Sequence, residues 1–186
     1  MQQQVSRGRE LNGVAIDQLA ETIRTIRQKP ELGDFEFRVK NEWERGGHSK
    51  TTIEAFHGVA QENEHGKKFE LEADEPPILL GRDLGPNPVE HLLNALATCL
   101  TSAMAYHAAA RGIRIDKIES HIEGSIDLRG FLGISDDVPR GYQNIQVTFL
   151  VDSDGSPEKL RECAEFSPVY NSLLHSPKID LRVETR

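Results

Sequence analysis

The chain is poor in the features that mark several protein classes, and each shortage narrows what it can be. Cysteine is scarce: only Cys99 and Cys163 are present. A disulfide framework is therefore not expected, and in an unexported chain two thiols point to redox or catalytic use. Basic charge is also short, with 22 Lys and Arg against 30 Asp and Glu for a net charge of −8, and the basic residues do not cluster. That balance argues against nucleic acid or an anionic membrane surface as a partner. The opening MQQQVSRGRE has no apolar export core and no later run reads as a bilayer span, so a soluble cytoplasmic protein is expected. No phosphate-binding glycine loop is visible, since Arg45-Gly46-Gly47-His48 lies between expected strands and opens no helix. The seven histidines show no close-spaced ligand pair and no nucleophile elbow occurs, so neither metal nor cofactor is expected. Repeats and low-complexity tracts are absent, and 186 residues suit a single well-buried domain.

What is present is one long apolar helix, expected over residues 87–112. Asn87 suits the N-cap, Pro88 the first helical position, Glu90 can close a capping box and Gly112 can end the helix. Leucine, alanine, Met104 and Tyr106 cover most of its circumference, which predicts burial. A narrow polar stripe of His91, Asn94, Thr98 and Thr101 or Ser102 runs along it, and Cys99 lies beside that stripe.

Around this helix the pattern is mixed. Residues 1–12 are polar and read as mobile. From Val14 to Gln28, Ile16, Leu19, Ile23 and Ile26 recur at helical spacing opposite charged residues, giving an amphipathic helix that Lys29-Pro30 ends. A β meander follows: Phe35 to Trp43, a turn at Gly46-Gly47, Thr51 to Phe56, and Lys68 to Glu72. Asp74 to Pro86, with three prolines and two glycines, reads as a loop feeding the long helix. Beyond it, alternation from Ile118 to Leu128 and from Ile145 to Val151 predicts two strands separated by a loop carrying Phe131, Leu132 and Ile134. Ser156-Pro157 and Ser167-Pro168 start two short helices, the first carrying Cys163, and Ile179, Leu181 and Val183 suggest a closing strand. The sum is an α+β architecture.

The run Asn87-Pro88-Val89-Glu90-His91-Leu92-Leu93-Asn94-Ala95-Leu96-Ala97-Thr98-Cys99 resembles the central-helix motif of the OsmC/Ohr family of osmotically induced and organic-hydroperoxide-resistance proteins. Two later stretches are similar to one OsmC-like subgroup: Asp127 to Gly133 with Pro139 to Ile145, and Ser167-Pro168-Val169-Tyr170-Asn171 with the closing strand. The resemblance runs from about Phe35 to the C-terminus. It implies residues 1–32 as an N-terminal extension and 33–186 as an OsmC-like domain, with antiparallel sheets wrapped around long central helices in an intertwined homodimer. It further implies a peroxidatic cysteine that attacks an organic hydroperoxide, forms a sulfenic acid, is captured by a second cysteine and is reduced by a dithiol. An arginine and a glutamate hold the thiolate.

Carried over residue by residue, Cys99 stands at the peroxidatic position. The family glutamate falls on Val89, with Glu90 one step on and about 100° around the helix. The arginine falls on His48, with Arg45 nearby, and the second cysteine falls on Ser167, with Cys163 one helical turn earlier. Cys99 lies too deep in its helix to feel the N-terminal partial charge, so its thiolate needs a cation, for which His48, Arg45 and Arg82 are candidates. The resemblance thus implies Cys99 as nucleophile, His48 or Arg45 as activator, Glu90 as orienter, and Cys163 or an external thiol as resolver. The alternative is a binding protein of the same fold, holding a small lipophilic ligand at the dimer interface with Cys99 merely retained. A thiol hydrolase or transferase built on Cys99 and His48 would need a third orienting group that the sequence does not offer.

Overall fold

The structure is a computed structural model and describes residues 8–185. The described residues divide into two compact units, 15–94 with 8–10, and 95–185 with Leu11–Val14. Of the stretch expected to be mobile, residues 1–7 lie outside the described residues. The rest is ordered by a turn: β1 (Glu10–Leu11) pairs with β2 (Val14–Ala15) around Asn12 and Gly13, both at positive φ. Asn-Gly favours this turn because both residues tolerate the left-handed region.

In the first unit α1 (Ile16–Gln28) is the expected amphipathic helix. β3 (Val39–Arg45), β4 (His48–Ile53) and β7 (Phe69–Ala73) form an antiparallel sheet in the order β3-β4-β7, while β5 (Phe56–Gly58) and β6 (Gln61–Asn63) make a separate ribbon. The strand expected over Thr51 to Phe56 is therefore two, broken at Glu54-Ala55. Phe35 and Phe37 precede β3 instead of lying within it, and they stack with Phe56, Phe37 and Phe56 at 5.6 Å between centroids. Register sorts the sheet into two faces, because cross-strand partners point the same way. Val39, Ile53 and Phe69 align, as do Asn41, Thr51 and Leu71, then Trp43, Ser49 and Ala73. On this face Val39 is 62% and Trp43 73% exposed. The opposite face carries the charges, with Glu42, Lys50 and Glu72 aligned.

The long helix α2 spans Pro88–Ala110. Its ends follow local chemistry. Asn87 N–H donates to Glu90 Oε2 and Glu90 N–H to Asn87 Oδ1, both at 2.8 Å, which closes the capping box. At the other end Gly112 takes φ +73°, and Ile113 N–H reaches the Ala108 carbonyl while Gly112 N–H reaches that of Ala109. This pair of bonds is a Schellman ending.

In the second unit β8 (Ile115–Ser125) and β9 (Asn144–Ser153) pair antiparallel, and α4 (Pro157–Ala164) and α5 (Pro168–Leu174) follow. Leu96, Leu100, Met104 and Ala108, spaced by four, form the buried ridge of α2 against Leu160, Cys163 and Ala164, with Ile118, Ile122, Val147 and Phe149 packed on the cluster. The helix is not buried all round, since Val89, Leu92 and Tyr106 are exposed. Two further expectations are corrected. β8 stops at Ser125 instead of running to Leu128, because Asp127 accepts the Arg129 N–H and starts the short α3 (Leu128–Phe131). The closing strand does not form: residues 176–185 are irregular, and Ile179, Leu181 and Val183 are 82%, 84% and 83% exposed. Alternation alone does not make a strand without a neighbour to satisfy its backbone.

Candidate functional site

The candidate residues divide between the two units: Arg45, His48 and Glu90 lie in the first, Cys99 and Cys163 in the second. Cys99 is a free, half-buried thiol on α2. One residue before Leu100, it projects about 100° away from the buried ridge. The neighbouring stripe is partly engaged: Thr98 Oγ1 donates to the Ala95 carbonyl of its own helix, and the His91 ring meets the Glu72 carbonyl at 3.0 Å. Glu90 is exposed and its carboxylate closes the capping box, so its oxygen is already engaged by the Asn87 N–H.

The β3–β4 turn does bring two candidates together, because Arg45 and His48 are register partners across it. Arg45 is exposed, whereas His48 is buried. His48 shares the charged face with Glu72, and its Nε2 lies 3.1 Å from Glu72 Oε2. Two residues further, Asp74 is only 1% exposed and accepts backbone N–H groups from Glu75 at 2.9 Å, Arg82 at 3.1 Å and Leu84 at 3.4 Å. Burial pushes the Asp74 carboxyl up, but these donors and the nearby His48 ring outweigh it and hold it below the ordinary carboxylate range. Asp74 is thus the hub of the proline-rich loop. Gly81 is required there, since a Cβ would lie 1.8 Å from the Glu75 carbonyl oxygen. Arg82 enters through its backbone N–H.

In the second unit, Cys163 is 0% exposed and accepts from Arg111 Nη1 at 3.0 Å. The same guanidinium lies 5.3 Å from the centroid of the Phe166 ring, on which His107 stacks at 4.0 Å. Burial, and then the Arg111 charge, hold the His107 ring below the ordinary histidine range. Ser167, at the position matched to the family's second cysteine, is also fully buried, and its Oγ accepts the Tyr170 N–H as the cap of α5. A separate cavity of about 560 Å³ opens between β9 and α4, lined mainly by apolar groups including Leu100, Met104, Val147, Phe149 and Leu160, with Arg161, Glu165 and Tyr170. Among the described residues, no group of three or more His, Cys, Asp or Glu is placed to hold a metal ion, and no helix is long and apolar enough to cross a membrane.

Sequence reasoning missed Glu72, Asp74 and Arg111. Glu72 was detectable in principle through strand parity, but only with the register known. A basic residue at a helix end has an ordinary role beside the C-terminal partial charge, so nothing local marks Arg111.

A family model described as OsmC-like protein matches residues 81–182. No curated protein matches the sequence. Among solved structures, an OsmC-like protein from Mycoplasma pneumoniae superposes with a TM-score of 0.56 at 19% identity, covering 76% of this chain and 89% of that one. A Psychrobacter arcticus protein described as osmotic stress induced and of the detoxification response gives a TM-score of 0.53 at 14% identity, covering 72% and 85%. At these identities the likeness establishes the fold: α+β with antiparallel sheets and a long helix.

Proposed function

The chain belongs to the OsmC-like protein family, and on that premise we propose that it reduces organic hydroperoxides through Cys99 and works as a homodimer. The observation that carries this reading is Cys99 itself, a free and half-buried thiol on the family's central helix, turned off the ridge that packs the core. Attack of its thiolate on the distal peroxide oxygen forms the S–O bond and breaks O–O, leaving an alcohol and a sulfenic acid. The roles of activating cation for His48 or Arg45, and of orienter for Glu90, belong to the same proposal. His48 has Glu72 to hold its ring, which supports a positioned imidazole. Dimerisation is supported by apolar surface left open in each unit: the Val39 and Trp43 face of the β3-β4-β7 sheet, and Ile179, Leu181 and Val183 in the C-terminal segment. Monomers seldom leave contiguous apolar surface of this kind uncovered.

A second reading is favoured by the 560 Å³ cavity, whose lining does not include Cys99. Its size and apolar wall suit a small lipophilic ligand held without chemistry. Consumption of cumene hydroperoxide in the presence of a dithiol separates the two. The peroxidase reading expects turnover that is lost in Cys99→Ser. No turnover in the wild type, with an environment-sensitive fatty-acid probe bound equally by wild type and Cys99→Ser, would leave the binding protein.

A further inference from the structure

Resting on the peroxidase reading, we propose that Cys163 is a sealed structural thiol and that the Cys99 sulfenic acid is resolved by an external low-molecular-weight thiol, with no intramolecular disulfide in the cycle. Four observations converge, all within the second unit. Cys163 is fully buried in the core cluster with Leu100, Met104 and Leu160. Its sulfur is held by Arg111 Nη1 at 3.0 Å, and that guanidinium lies 5.3 Å from the centroid of the Phe166 ring. The same Nη1 reaches the His107 carbonyl at 3.4 Å, eight residues or about 12 Å of helix rise beyond Cys99, so Cys163 is docked toward the C-terminal end of α2. Finally, Cys163 packs on the Leu96, Leu100, Met104 and Ala108 ridge, from which Cys99 is rotated by about 100°.

A disulfide needs its two Cα atoms within about 7 Å and its Cβ vectors facing. In the folded protein the Cys163 side chain is instead buried in the core cluster and its sulfur is engaged by the Arg111 guanidinium. Nor can Ser167 substitute, being a buried hydroxyl engaged as a helix cap. The chemistry still closes with an external thiol R′SH. Cys99–SOH and R′SH give the mixed disulfide Cys99–S–S–R′ and water. A second R′SH then attacks the external sulfur, releasing R′S–SR′ and restoring Cys99–SH. Each turnover reduces one hydroperoxide to an alcohol and oxidises two thiols.

The test uses the full-length reduced protein. It is treated with one equivalent of cumene hydroperoxide, split between dimedone and a single equivalent of glutathione, then denatured, alkylated and mapped by mass spectrometry. The proposal expects dimedone on Cys99 in one half, a glutathione mixed disulfide on Cys99 in the other, and Cys163 recovered as a free, alkylated thiol in both. A peptide joining Cys99 to Cys163, within one chain or between two, overturns it while leaving the peroxidase reading intact. Cys99 recovered as a free thiol in the dimedone half overturns both.

Discussion

Replacing Asn12 by alanine should destabilise the protein far more than an exposed turn residue normally does. The side chain lies in the Asn-Gly turn of the N-terminal hairpin, yet it bonds across the point where α2 passes into β8. Its Nδ2 donates to the Ile113 carbonyl at 3.0 Å and, weakly, to the Ala105 carbonyl at 3.5 Å, while its Oδ1 accepts the Ile115 N–H at 2.8 Å. The two good bonds contribute roughly 1 kcal/mol each. Holding alanine at the φ of +55° recorded for Asn12 adds about 1 kcal/mol. Partial access of water offsets some of this, so we expect a loss of about 2–3 kcal/mol, or a Tm lower by roughly 5–10 °C for a chain of this length. Asn12→Gly removes the bonds but not the backbone freedom, and should lose about 1 kcal/mol less. Asn12→Asp keeps the acceptor for Ile115 but sets a carboxylate against the Ile113 carbonyl, and should be at least as damaging as alanine. Urea unfolding of all four proteins at one fixed concentration measures this, since any dimerisation would otherwise shift the midpoint. An alanine variant within about 0.5 kcal/mol of wild type would refute the idea that Asn12 ties the turn to the domain.

The two thiols should differ sharply toward a small disulfide reagent: Cys99 reacts in the folded protein and Cys163 only at the rate of unfolding, which stopped-flow labelling in increasing urea would show. Early reaction of both would contradict the buried setting of Cys163. Because His107 is held below its ordinary range, the unfolded chain binds its proton first as pH falls. Its stabilising contribution is therefore present above about pH 6.5 and is lost as acidification proceeds through the lower folded value. His107→Phe, which keeps a ring over Phe166, should flatten that part of the stability profile; an unchanged slope in thermal melts would argue against it. If the open sheet face is a dimer surface, Leu71→Lys should convert a dimer to monomer in light scattering, whereas Lys50→Glu on the opposite face should not. A monomeric wild type, or a Leu71→Lys dimer, would discard that surface.

Elements with local causes could be read from the residues. The start of α2 needs only Asn87 and Glu90 three residues apart, its end needs only Gly112, and Ser156 and Ser167 cap α4 and α5 from within three residues. These are short-range bonds whose geometry depends on spacing alone. The family motif placed Cys99 on its helix for the same reason. Alternation alone is not sufficient: the Ile118 run ends early because Asp127 offers the backbone a competing bond, and the Ile179 segment has no neighbouring strand among the described residues.

Tertiary structure alone decided the surroundings of the candidate residues. His48 meets Glu72 because the β4–β7 register sets both on one face, and a slip of one residue would separate them. Arg111 meets Cys163 across 52 positions, and Asp74 gathers N–H groups from as far as Leu84. No spacing rule spans such distances. Contacts of this kind exist only once side chains have packed, since burial makes an unpaired polar group costly and so selects the partner.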